Sequence, residues 1–234
     1  TSFRLWASND SLMFSASEQV DRESEVGVNI DRYLSAMESM GFSGAIIVSE
    51  GDKVVLRKGY GLADRETRRP YTASTVQSHG SLTKQMTAAA ILLLEDSGSL
   101  SVNDSLVHYF EEVPNDKRQI TIHQLLTHSS GLPGGIGPDE EPIRAGAYLD
   151  RLMGEPLQFE PGSGYAYSNA GYALLGILIE RLTGKDYETF LREELLLPAG
   201  LRETGYVLPD WSKEGMAEGY RNGKHWGLVY NRGW

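Results

Sequence analysis

Residues 81–98 read SLTKQMTAAAILLLEDSG, a serine and a lysine three positions apart at the head of a long apolar stretch. Leu82, Met86, Ala89, Ala90 and Leu93 recur at helical spacing and Gly98 follows as a stop, which predicts a buried helix here. With Ser81 in the first turn, Lys84 comes round one turn later on the same face, its amine near the serine oxygen. A serine alcohol is a weak nucleophile until its proton is taken. A neighbouring amine takes it or helps another base do so, and a helix N-terminus supplies positive potential and free N–H groups where negative charge develops. The pattern is short, and by itself it also fits an N-cap serine followed by a surface lysine.

The composition bounds what such a site can serve. With 234 residues, 40% hydrophobic and 23% charged, the chain is long enough to bury a core in one large domain or two modest ones. A formal net charge of -10 leaves no basic field for a phosphate backbone, so no nucleic-acid partner is expected. The absence of cysteine excludes disulfides, thiol catalysis and cysteine metal sites. The longest apolar run, Ala88 to Leu94, is too short to span a bilayer.

Upstream of Ser81, residues 1–25 are polar and irregular apart from Phe3, Leu5 and Trp6 and are given no function. Ile30, Tyr33, Leu34 and Met37 then mark an amphipathic helix stopped by Gly41. Gly44 to Ser49 and Lys53 to Leu56 are β-branched runs around Glu50-Gly51-Asp52, which reads as an antiparallel hairpin, extended by Tyr60 and Leu62. Two strands rarely make a stable sheet alone, so further strands are expected. From Thr75 onward the β signal fades into helices and loops. The expected organisation is an α/β part over residues 1–72 and a mainly helical part over 73–234.

Downstream, Ile122 to Thr127 reads as a short helix before the loop His128 to Gly135, whose glycines match no phosphate-binding pattern and read as turn residues. Asp139, Glu140 and Glu141 before Pro142 read as a solvated loop in preference to a metal site. The second informative stretch is Phe159 to Gly184, FEPGSGYAYSNAGYALLGILIERLTG. Its Pro-Gly-Ser-Gly makes a turn, and Leu174, Leu175, Leu178, Ile179 and Leu182 mark a helix ended by Gly184. A tyrosine beside a cation has its phenolate favoured, so Tyr167 is a candidate general base if folding brings it to Lys84. The alternative reading is a packed aromatic at Tyr167 and a helix N-cap at Asn169.

Ser81-x-x-Lys84, Ile120 to Pro133 (ITIHQLLTHSSGLP) and Phe159 to Gly184 together resemble the serine β-lactamase and penicillin-binding-protein superfamily. The similarity is closest to its class C-like branch of class C β-lactamases, D,D-peptidases and family VIII esterases. In place of an SDN element the chain offers Tyr167-Ser168-Asn169, the YxN element of that branch. The resemblance implies an α+β, β-lactamase/transpeptidase-like fold, an antiparallel sheet with flanking helices beside a mainly helical region. It implies acyl transfer to Ser81, with Lys84 as electrostatic and proton-transfer partner, Tyr167 as base or base relay, and Asn169 binding the lysine or the substrate amide. His128 and Gly131 would hold a loop beneath the site. The implied substrate is a small molecule or peptide: an ester, a β-lactam or a D-amino-acid peptide. No cofactor or metal is implied, and the compartment implied is periplasmic or secreted.

The third motif of the superfamily, Lys-Thr-Gly or His-x-Gly on a strand that contributes an oxyanion N–H, is not found in this reading. Thr183-Gly184-Lys185 has the letters in the wrong order, and His128-Ser129-Ser130-Gly131 has one residue too many. Residues 219–234 read as part of the helical region. The expectation is therefore a chain lacking the C-terminal strands, with a free strand edge open to self-association. A non-catalytic binding protein, or an inactive fragment, is the alternative to a serine hydrolase.

Overall fold

Gly44–Glu50 (β2) and Lys53–Tyr60 (β3) form the expected antiparallel hairpin, paired from Gly44 opposite Tyr60 to Glu50 opposite Lys53 with a shift of register between Val48 and Ser49. Gly51 makes the turn at φ 60°, where a side chain is disfavoured. The computed structural model describes residues 17–111, 113–138, 141, 143–206 and 215–228. A third strand, Gln19–Val20 (β1), pairs with β3 opposite Arg57 and Leu56, giving the order β1-β3-β2. It lies in the stretch read from sequence as irregular, where two residues are too few for a period to show. Phe3, Leu5 and Trp6 lie outside the described residues.

Helix α1, Glu25–Glu38, packs on β3. Ser24 caps it by accepting the Gly27 N–H at 3.0 Å, and a Cβ on Gly27 would stand 2.6 Å from the Val55 carbonyl oxygen, so a bare backbone lets the helix lie on the strand. Neighbouring strand residues point to opposite faces, and Val55 and Leu56 are both buried, so β3 is covered on each side. Gly61 at φ 68° ends β3, and Leu62–Asp64 (β4) pairs separately with Arg69–Pro70 (β5) instead of extending the hairpin.

The reading of residues 219–234 as helical is corrected. Glu218–Arg221 (β6) and Lys224–Leu228 (β7) form an antiparallel hairpin, and residues 229–234 lie outside the described ones. Its turn is Asn222-Gly223, both at positive φ, 52° and 75°, the pair that a two-residue hairpin turn favours. A parallel bridge from Val76 to Met216 and the Tyr220 hydroxyl, which accepts the Arg65 N–H at 2.7 Å, tie this hairpin to the residues around β4. The β signal thus returns after Thr75. Described residues up to Ser78, together with 215–228, form one compact unit; His79 to Tyr206 form the other.

The second unit is built around Asn169–Thr183 (α5), which contacts Thr83–Asp96 (α2), Ile122–Leu126 (α3), Ala145–Gly154 (α4) and Tyr187–Leu191 (α6). Leu174, Leu175, Leu178 and Ile179 are fully buried, each stabilising the fold by roughly 1.5–3 kcal/mol. Gly184 ends α5 in the left-handed conformation at φ 68°. Helix α3 is only five residues long and is held by a capping box: Thr121 accepts the Gln124 N–H at 3.2 Å, and Gln124 accepts the Thr121 N–H at 3.0 Å. Among the described residues no helix is long and apolar enough to cross a membrane.

Candidate active site

Ser81 sits in a 3-10 turn, Gly80–Leu82, that runs directly into α2, and Lys84 is in the first turn of that helix. Gly80 at φ 50° turns the chain into it, and the Thr83 hydroxyl closes the turn by donating to the Gly80 carbonyl at 2.8 Å. The spacing acts as expected: Lys84 Nζ lies 3.4 Å from Ser81 Oγ. Ser81 is exposed and Lys84 half-buried.

The other two residues come from 83 to 88 positions away and are delivered by the start of α5. Ser168, not Asn169, caps this helix, accepting the Gly171 N–H at 2.9 Å. The cap proposed at Asn169 moves by one residue because Ser168 has the extended backbone a cap requires, while Asn169 is already helical. Ser168 is buried, and its hydroxyl also donates to the Pro133 carbonyl at 2.6 Å, while the Asn169 N–H donates to the Gly134 carbonyl at 2.7 Å. With Ser168 turned inward, Tyr167 and Asn169 on either side of it reach the lysine.

The Tyr167 hydroxyl lies 2.7 Å from Ser81 Oγ, and Lys84 Nζ donates to Asn169 Oδ1 at 2.6 Å. The ammonium also stands 4.8 Å from the Tyr167 ring centre and 5.5 Å from that of Tyr172, inside cation–π range. Partial burial raises the Tyr167 pKa, but hydrogen bonding to Lys84 and to Ser81, with the lysine's charge, outweighs it and holds the phenol below its ordinary value. A neutral phenol donates to Ser81; a phenolate in the same place accepts the serine proton. All four sequence-identified residues therefore meet within one unit.

The loop beneath them is zipped to the segment before α5. Ala166 donates to the His128 carbonyl at 3.0 Å, Gly162 to Ser129 at 2.8 Å and Gln158 to Gly131 at 2.8 Å. A Cβ on Gly131, at φ 77°, would fall 2.2 Å from the Phe159 carbonyl oxygen, so this position needs glycine for conformation and for space. Of the acidic run, Glu141 pairs with Arg151 at 2.8 Å, while Asp139, Glu140 and Pro142 lie outside the described residues. Among the described residues no group of three metal-ligating side chains occurs.

Contrary to the expectation from sequence, the letters His-x-Gly do occur, as His225-Trp226-Gly227 on β7. His225 Nε2 pairs with Glu218 at 3.0 Å, and that hydrogen bond together with nearby carboxylates raises the imidazole pKa. A reading of residues 219–234 as helical leaves no place for a strand motif. Asn222-Gly223 was the local signal that pointed to a strand.

The Beta-lactamase family model matches residues 33–232, and the chain belongs to that family. A penicillin-binding protein of Bacillus subtilis (strain 168) is 35% identical over 171 residues, covering 70% of this chain and 38% of that protein. The D-amino acid amidase of Ochrobactrum anthropi SV3, solved with D-phenylalanine, is 27% identical with a TM-score of 0.75, covering 84% of this chain and 57% of that one. FmtA of Staphylococcus aureus has the same fold at a TM-score of 0.78 and 24% identity, over 92% of this chain and 60% of that one. The fold is thus the β-lactamase/transpeptidase-like α+β fold. The chain spans 38% to 60% of the length of these proteins.

Proposed function

We propose that this chain carries the acyl-transfer site of a serine hydrolase, with Ser81 as nucleophile. The observation that carries the reading is the Tyr167 hydroxyl at 2.7 Å from Ser81 Oγ, with Lys84 bridging serine and Asn169. Tyr167, in the phenolate form that the charge of Lys84 favours, takes the serine proton as Oγ attacks a carbonyl carbon. The proton then passes to the leaving alcohol or amine, and water attacks the acyl-serine by the same route in reverse. Asn169 orients the lysine through Oδ1, leaving its amide nitrogen for the substrate carbonyl or amide. A penicillin-binding protein and a D-amino acid amidase among the relatives support a β-lactam or a D-amino-acid amide as substrate, within the ester, β-lactam or D-amino-acid peptide class that the motif resemblance implies. The edge of β2, paired only with β3 among the described residues, is open to a further strand, and a second copy of the chain is one such partner.

The test is turnover of p-nitrophenyl acetate, nitrocefin and D-alanine p-nitroanilide by the protein and by Tyr167→Phe. Removing the hydroxyl from an exposed ring should leave the fold unchanged and lower turnover roughly a hundredfold or more, as for loss of a general base. Near wild-type turnover in the variant would reassign the base to Lys84 alone. Binding of these compounds without turnover by the unaltered protein would favour the non-catalytic reading.

A further inference from the structure

His128 follows α3 with φ 57°, a left-handed backbone that is uncommon for residues other than glycine and asparagine. Its ring lies 4.5 Å from the Tyr167 ring and 5.1 Å from that of Tyr172, with Tyr165 edge-on at 5.9 Å. Its Nδ1 accepts the Ser168 N–H at 3.1 Å, and its carbonyl accepts the Ala166 N–H at 3.0 Å. The residues immediately before and after Tyr167 are therefore both hydrogen-bonded to His128, whose ring also supports the phenol ring.

This arrangement works in one protonation state only. To accept from Ser168, Nδ1 must carry no proton, so the imidazole is the neutral Nε2–H form. A proton on Nδ1 turns the acceptor into a donor facing another donor, and sets a second cation in the aromatic cluster that already holds Lys84. Among the described residues, the titratable and charged groups that face the ring are Lys84 from α2, Tyr165 and Tyr167 from the segment before α5, and Tyr172 from α5. None of these four is a carboxylate that would compensate an imidazolium.

We propose that neutral His128 is the positioning residue for Tyr167, and that its protonation, releasing Ser168 and the tyrosine, sets the acid limb of the pH–activity profile. The proposal rests on the serine-hydrolase reading above. Burial, and secondarily the charge of Lys84, lower the imidazole pKa from its ordinary value, so the neutral form prevails at neutral pH. The sign follows: the unfolded chain binds this proton more readily than the folded one. Stability is therefore intact above the ordinary histidine value of about 6.5 and falls as pH drops below it, while the site geometry holds until pH reaches the lowered folded-state value and the imidazole is itself protonated.

The test compares kcat/KM against pH for the protein and for His128→Asn, with product measured by chromatography. Asparagine tolerates the left-handed backbone, offers an acceptor oxygen to Ser168 and does not titrate. Between about pH 7.5 and pH 4 the unaltered protein should lose roughly tenfold or more of its activity with a midpoint below the ordinary histidine value, while the variant loses no more than about threefold. The same acid limb in both proteins overturns the proposal and leaves the hydrolase reading standing. Absence of Ser81-dependent turnover would sink the hydrolase reading instead. In that case, or if the variant does not fold, NMR titration of the unaltered protein decides the positioning claim. The Tyr167 ring signals should shift with the His128 midpoint, and a Tyr167 signal indifferent to that titration overturns it.

Discussion

Ser81→Ala should abolish catalysis, with turnover of p-nitrophenyl acetate falling on the order of ten-thousandfold or more, to the level that binding and leftover polar groups alone support. Ser81 is exposed and, among the described residues, its hydroxyl meets only Tyr167 and Lys84, both in reach of solvent. Replacing it with a methyl group opens no cavity and strands no buried polar atom, so the melting temperature should stay within a few degrees. An intact fold with lost turnover assigns the loss to the nucleophile. Turnover within tenfold of the unaltered protein would mean that water, or another side chain, attacks the carbonyl.

Lys84→Met should cost on the order of a thousandfold, since one change removes a charge that acts on three partners. The thioether fills nearly the same space, so the buried stem of the side chain still packs. What disappears is the donor to Asn169 at 2.6 Å, the neighbour of Ser81 at 3.4 Å, and the cation that favours the Tyr167 phenolate. With the lysine gone, burial is left to act against the Ser81 hydrogen bond alone, and the Tyr167 titration should move upward. Ultraviolet difference titration of the variant checks this beside the kinetics. Lost turnover with an unmoved Tyr167 titration would show that the lysine acts without tuning the tyrosine.

How these residues come together was only partly legible. Helices α2 and α5 were readable because their apolar faces repeat at helical spacing, and the β2–β3 hairpin because its β-branched runs flank Glu50-Gly51-Asp52. The contact between Ser81 and Tyr167, 86 residues apart, follows from α2 packing on α5, and no local pattern encodes that. The one-residue shift of the α5 cap depends on Ser168 finding Pro133 and His128 as partners, which are long-range contacts again. His128 was read as support for a loop by resemblance alone; its backbone conformation and its grip on both neighbours of Tyr167 appear only in three dimensions. The β6–β7 hairpin is different in kind. Asn222-Gly223 is written in the sequence, but the Gly- and aromatic-rich stretch around it reads as a segment of the helical region, with no alternation strong enough to mark two strands.

The most direct test of the central claim is to quench the protein during turnover of a slowly released ester, or after reaction with a p-nitrophenyl phosphonate, and map the adduct by mass spectrometry of peptides. The account predicts a single adduct, on Ser81, that is missing from Ser81→Ala and forms far more slowly in Lys84→Met. An adduct on another residue, or turnover with no covalent species on Ser81, would contradict it.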